Sequence, residues 1–147
     1  MLYLSEALVQ ALMREAEAAY PAECCGFLLG AMNGEAREIR TVKEILPAEN
    51  RSEAAEQYHR FSITPEQMLT AERYARAAGS GILGFYHSHP DHPAIPSEYD
   101  RSHAVPGCSY PIVSVMQGKA AAIRCWQLSA ETGYHDFTEE LIERGED

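Results

Sequence analysis

Cationic side chains are scarce in this 147-residue sequence: 12 lysines and arginines face 22 aspartates and glutamates, for a formal charge of −10. Those present are scattered, so the basic stripe that a nucleic-acid footprint needs is missing. Long apolar runs are missing too, and none approaches the ~18 residues of a membrane span. The opening residues, MLYLSEALVQ, lack the basic start and cleavage site of a signal peptide, so the expected location is cytoplasmic. Cysteine is sparse, at Cys24, Cys25, Cys108 and Cys125, without the C-x-x-C spacing of a structural zinc site. In a reducing compartment such thiols act as small apolar side chains rather than as disulfides. Repeats, linkers and low-complexity tracts are also lacking, and the expectation is one domain over residues 1–147.

What is present is an interleaving of helical and strand-like patterns. Ser5 can cap a first helix whose apolar face runs through Leu8, Leu12, Ala16 and Ala19, with Pro21 ending it. Residues 25–32, CGFLLGAM, form an apolar run closing on Asn33-Gly34, a hairpin signal that makes residues 35–46 the returning strand. Residues 47–57 read as a polar loop whose order the sequence leaves open, and YHRFSI at 58–63 reads as a short strand. Thr64-Pro65-Glu66-Gln67 joins a capping box to proline at the first helical position, predicting a helix to about Ala78 that Gly79 stops. Residues 81–89, GILGFYHSH, read as a buried strand. After a proline-rich loop, Ser97 can cap a short helix to about Ala104. Residues 112–117 and 122–129 predict two strands around Gly118-Lys119, and residues 134–143 form an amphipathic segment of unassigned type. Such mixing places the chain in the α/β or α+β class around a mixed sheet.

The chemistry concentrates between Tyr86 and Asp100. On a strand, His87 and His89 project from the same face and can reach one ion. On a helix, Ser97 and Asp100 project together, and the short proline-stiffened loop can lay that helix over the strand's end. Two imidazoles and a carboxylate make a three-ligand site with the fourth position open, the mark of a catalytic rather than a structural zinc. Glu23, in another apolar stretch, has no evident structural task. His92 and His103 are candidates for supporting groups, although an exposed loop position suits His92 and simple packing suits His103 equally well. His59 and His135 have no constellation around them. Ser88 points to the opposite face from the two histidines and has no adjacent base, and Trp126 and Tyr110 read as packing residues.

The order Glu23, then His87-Ser88-His89-Pro90, seven residues from His89 to Ser97, two more residues and Asp100, resembles the signature of the JAMM/MPN+ metalloproteases. Pro21 to Gly30, Phe61 to Glu66 and Gly84 to Tyr86 resemble the family as well, so the likeness spans residues 2 to 130. Small deviations fall at Phe85 and at Cys24-Cys25. The resemblance implies a cytidine-deaminase-like architecture, with a curved mixed sheet flanked by helices. It implies one zinc per chain held by His87, His89 and Asp100, Glu23 as general base and acid, and Ser97 as donor to the oxyanion. It further implies hydrolysis after the Gly-Gly tail of a ubiquitin-like protein. The compact length is similar to stand-alone prokaryotic members, some of which release cysteine from a sulfur carrier protein. An isopeptidase of a ubiquitin-like modifier and a non-catalytic scaffold are the alternatives. Neither nucleic acid nor membrane is an expected partner, and homodimerisation is left open. Zinc deaminases need a His-x-Glu and a Pro-Cys-x-x-Cys, and H-E-x-x-H peptidases their own helix; this sequence has none of these.

Overall fold

The computed structural model describes residues 1–35, 38–129 and 136–146. In chain order the elements are β1 (Leu2–Ser5), α1 (Glu6–Ala19), β2 (Cys25–Asn33), β3 (Ile39–Ala48), a 3-10 turn (Ala54–Glu56), α2 (Pro65–Ala77), β4 (Gly81–Pro90), α3 (Glu98–His103), β5 (Tyr110–Met116), β6 (Lys119–Leu128), β7 (Phe137–Glu140) and β8 (Ile142–Gly145). The strands form one mixed sheet in the order β7-β6-β5-β4-β2-β3-β1-β8. The first and last strands in that order are separated in the chain by Leu141 alone. The sheet is therefore curved until its two edges meet, and Leu2 N–H donates to the Leu141 carbonyl at 2.8 Å.

The apolar run of β2 explains the layers. Successive strand side chains alternate between faces. Leu28 packs with Val9 and Leu12 of α1, whereas Phe27 and Leu29 pack with Ala71 and Ala75 of α2. Both faces of the sheet centre are covered, which is why this segment is apolar at every position rather than at alternate ones. The same alternation sorts β4. Phe85 lies on the α2 face and Tyr86 in the α1 cluster, so His87 and His89 follow Phe85 while Ser88 follows Tyr86.

The helix boundaries follow the expected caps. Ser5 Oγ accepts from Leu8 N, and Thr64 and Gln67 close a full capping box with Pro65 at the helix start. Gly79 stops the second helix with φ +74°. The predicted strand at 58–63 is not one. Asn50 and Arg51 take up its backbone groups instead: Asn50 Oδ1 accepts from Ser62 N, Asn50 Nδ2 donates to Arg60 O, and Arg51 N donates to Ser62 O. Strand β1 was not anticipated, and the unassigned tail segment supplies the two edge strands β7 and β8, with residues 134 and 135 outside the described part. Among the described residues no helix is long and apolar enough to cross a membrane.

Gly84 marks a point where two backbones approach more closely than a side chain allows. A Cβ there would lie 1.9 Å from the Ser109 carbonyl oxygen, part of the chain that bridges to β4. Backbone cannot swing aside as a flexible side chain can, so Gly84→Ala is expected to lower unfolding free energy by about 2–3 kcal/mol. A urea-melt midpoint within error of wild type would contradict this.

Candidate metal centre

Strands β4 and β5 pair in parallel, with His87 opposite Ile112 and His89 opposite Ser114. Parallel neighbours need a crossover connection, and this one carries α3 across the carboxyl end of β4. Ser97 caps α3 by accepting from Asp100 N at 3.1 Å, and Asp100 Oδ2 returns the bond by accepting from Ser97 N at 2.9 Å. That reciprocal cap turns Asp100 toward the strand. Nε2 of His87 and Nε2 of His89 lie 3.1 Å apart, and Asp100 Oδ2 lies 3.2 Å from the first and 3.1 Å from the second. All three side chains are buried.

The triangle fits a small ion. A tetrahedral metal with bonds of ~2.0–2.1 Å holds its ligand atoms about 3.3 Å apart. His89 Nδ1 lies 2.9 Å from the Pro93 carbonyl, which can only accept, so Nδ1 carries a proton and, in the neutral ring that a metal would bind, the Nε2 lone pair faces the other two donors. Burial holds the His87 imidazole below its usual value, against the pull of Asp100. Burial opposes ionisation of Asp100, yet the charge and hydrogen bond of His87, the bond to His89 and the Ser97 N–H together hold its carboxyl well below the usual range. A divalent cation binds neutral imidazole and ionised carboxylate, and the downward shifts of His87 and Asp100 both favour those forms.

Glu23 precedes β2 and is 4% exposed, with Oε1 lacking any hydrogen-bond partner among the described residues. Burial, reinforced by the negative charge of Asp100, pushes its carboxyl up to about 9. Its backbone is fixed from three sides. Glu23 N donates to Gln57 O at 2.7 Å, Asn50 Nδ2 donates to Glu23 O at 3.1 Å, and the next residue's N–H donates to Ser88 Oγ at 2.8 Å. Asn50, Gln57 and Ser88 were not anticipated as positioning residues. A serine on the covered face between two site histidines was the one available signal; Asn50 and Gln57 offered none.

The triad lies between two hollows that share Tyr99. On one side Phe61, Ile63, Met68, Phe85 and Tyr110 line an apolar cavity of about 280 Å³ that reaches His87, Asp100 and His103, and Phe61 stacks on His87 with centroids 4.6 Å apart. On the other side a groove of about 360 Å³, richer in ionisable side chains, holds Glu23, His89, Ser97, Arg60 and His92. His103 is exposed, stacked on Tyr99 at 4.0 Å with Nδ1 2.8 Å from the Tyr99 carbonyl, and His92 is exposed at the groove's edge. Neither joins the three atoms that could hold a metal. All four cysteines are free, and burial pushes the Cys24 and Cys25 thiols up to about 12, so both stay protonated beside Glu23.

A family model described as prokaryotic homologs of the JAB domain matches residues 5–129. The chain belongs to that family. This JAB domain is 38% identical over 95 residues to a protein named desampylase from Haloferax volcanii, a match covering 64% of this chain and 63% of that protein, less than two thirds of either. Among solved structures it is similar to a Desulfitobacterium hafniense protein determined in solution, with a TM-score of 0.84 and 30% identity over 100% of this chain and 94% of that one. It shares its fold with a JAB1/MPN domain protein from Archaeoglobus fulgidus, at a TM-score of 0.59 and 19% identity over 99% and 98% of the two chains. JAB domains are typically metal-dependent, and the His87, His89 and Asp100 cluster is the place in this one that could hold the ion.

Proposed function

We propose that this JAB domain is a zinc-dependent peptidase that hydrolyses the bond after the C-terminal Gly-Gly tail of a ubiquitin-like protein, releasing an amino acid, cysteine, from a sulfur carrier protein. The observation that carries the reading is three buried donor atoms 3.1–3.2 Å apart, sharing a site with the buried carboxyl of Glu23, whose Oε1 has no hydrogen-bond partner among the described residues. The desampylase relative supports the substrate class, because that name denotes removal of a conjugated ubiquitin-like modifier.

His87, His89 and Asp100 would hold the zinc, which when bound is a Lewis acid that makes a nucleophile available from water at neutral pH. Glu23 takes a proton from the attacking water and hands one to the leaving amine. A carboxyl in a water-poor pocket suits both transfers, since its pKa can lie near the working pH. Ser97 donates to the scissile carbonyl oxygen as negative charge develops there, a contribution of about 2.7–4 kcal/mol for a well-placed donor. The cap does not compete with this task. Ser97 Oγ accepts from Asp100 N, and its own O–H stays free to donate.

The test offers zinc-loaded protein a sulfur carrier extended by cysteine after Gly-Gly, beside a lysine isopeptide conjugate of a ubiquitin-like protein. Mass spectrometry should show the extended carrier losing the mass of one cysteine residue. Cleavage of neither substrate by folded, metal-loaded protein contradicts the proposal.

A further inference from the structure

The groove that holds Glu23 is lined by three formally charged side chains, Glu23, Glu98 and Arg60. Glu98 is held by Arg101 at 2.9 Å. Glu23 is buried without a cation beside it. The remaining charge is Arg60, which is exposed and has no carboxylate partner among the described residues; its guanidinium instead lies over the Tyr99 ring, 4.9 Å from the centroid. Among the described residues the arginines at 51, 101, 124 and 144 meet carboxylates and those at 14, 40, 60, 73 and 76 do not; of these five, Arg60 alone lines the groove.

Its position relative to Glu23 is fixed by one side chain. Asn50 Nδ2 donates both to Glu23 O at 3.1 Å and to Arg60 O at 2.9 Å, so the backbones of the two residues meet at a single nitrogen. The residue that hands a proton to the leaving amine must stand on the leaving group's side of the scissile bond. The groove with Glu23 and Arg60 is therefore the leaving-group side, and the apolar hollow serves the acyl side. A released amino acid bears its carboxylate one carbon from the leaving nitrogen, whereas a lysine side chain leaving an isopeptide bears none there.

We propose that Arg60 is a specificity-determining residue that receives the free α-carboxylate of the leaving amino acid. Resting on the peptidase reading above, this makes the chain a releaser of single C-terminal residues in preference to an isopeptidase. Stacking on Tyr99 keeps the planar guanidinium oriented, and its fork of N–H donors matches a carboxylate in two parallel bonds.

Three probes separate the outcomes: a sulfur carrier protein ending in Gly-Gly-Cys with a free carboxylate, the same protein as its C-terminal amide, and a lysine isopeptide conjugate. Zinc-loaded wild type should cleave the free acid on the order of 10- to 100-fold more efficiently than the amide. Arg60→Gln should erase that difference by losing activity on the acid alone, and Arg60→Lys should restore part of it. Arg60 is exposed, so neither variant should alter the fold, as circular dichroism will show. Binding adds a readout without turnover: in a Glu23→Gln background the acid should bind more tightly than the amide, and Arg60→Gln should remove the gap. Equal cleavage of acid and amide by wild type overturns the Arg60 assignment while leaving the peptidase reading intact. Cleavage of none of the three overturns that reading and the assignment with it.

Discussion

Glu23→Gln is expected to keep the fold and the bound metal while losing turnover by on the order of 100- to 10,000-fold, the usual worth of a general acid–base group. Glutamine has nearly the same shape, so the backbone bonds to Gln57, Asn50 and Ser88 remain. The substitution also has a signature in the metal-free protein. Burial first, and the charge of Asp100 second, push the carboxyl from 4.5 up to about 9. Between those two values the folded chain holds a proton that the unfolded chain has released. Stability from this group is then complete below pH 4.5 and is lost as pH rises toward 9. At pH 7 the gap is 7 − 4.5 = 2.5 pH units, or about 3 kcal/mol at 1.36 kcal/mol per unit. Metal-free Glu23→Gln should therefore melt above metal-free wild type at pH 7 to 8, with the difference closing toward pH 4.5. A variant that turns over at the wild-type rate would remove Glu23 from the mechanism.

Asp100→Ala should abolish tight metal binding. Loss of a partner that merely orients a ligand costs ~10- to 100-fold in metal affinity, so loss of the ligand itself should exceed about 100-fold. The same carboxylate caps α3 by accepting from Ser97 N, and removing that bond should lower stability by about 1 kcal/mol. Asp100→Asn separates the two effects, since its side-chain carbonyl still accepts from Ser97 but brings no negative charge to the cation. A chelator competition assay in which the alanine variant holds zinc as tightly as wild type would contradict the ligand assignment.

The parts of this molecule that were legible in its sequence are those governed by local rules. The i, i+2 spacing of His87 and His89 and the Ser97–Asp100 cap rest on strand and helix periodicity, and the structure brings their donor atoms into one triangle. The Thr64 capping box and Gly79 stop are similarly local. Strand β1 escaped notice because four residues carry little periodicity and both its partners, β3 and β8, are distant in sequence. Residues 58–63 carry strand-favouring side chains, but strand formation also needs a neighbouring edge, and there Asn50 satisfies the backbone first. Glu23 stood out locally as a carboxylate in an apolar stretch without a structural task, and its role as base came only from resemblance to a family. Nothing in the sequence linked Asn50 to Glu23 and Arg60, because that link is made by one side-chain nitrogen between residues far apart in the chain.

The most direct test of the account is the metal content of purified wild-type protein, prepared without chelator and shown to be folded. Elemental analysis should give about one zinc per chain, lost in Asp100→Ala and kept in Glu23→Gln. Folded wild-type protein that carries no metal, and takes up none when zinc is supplied, would contradict it.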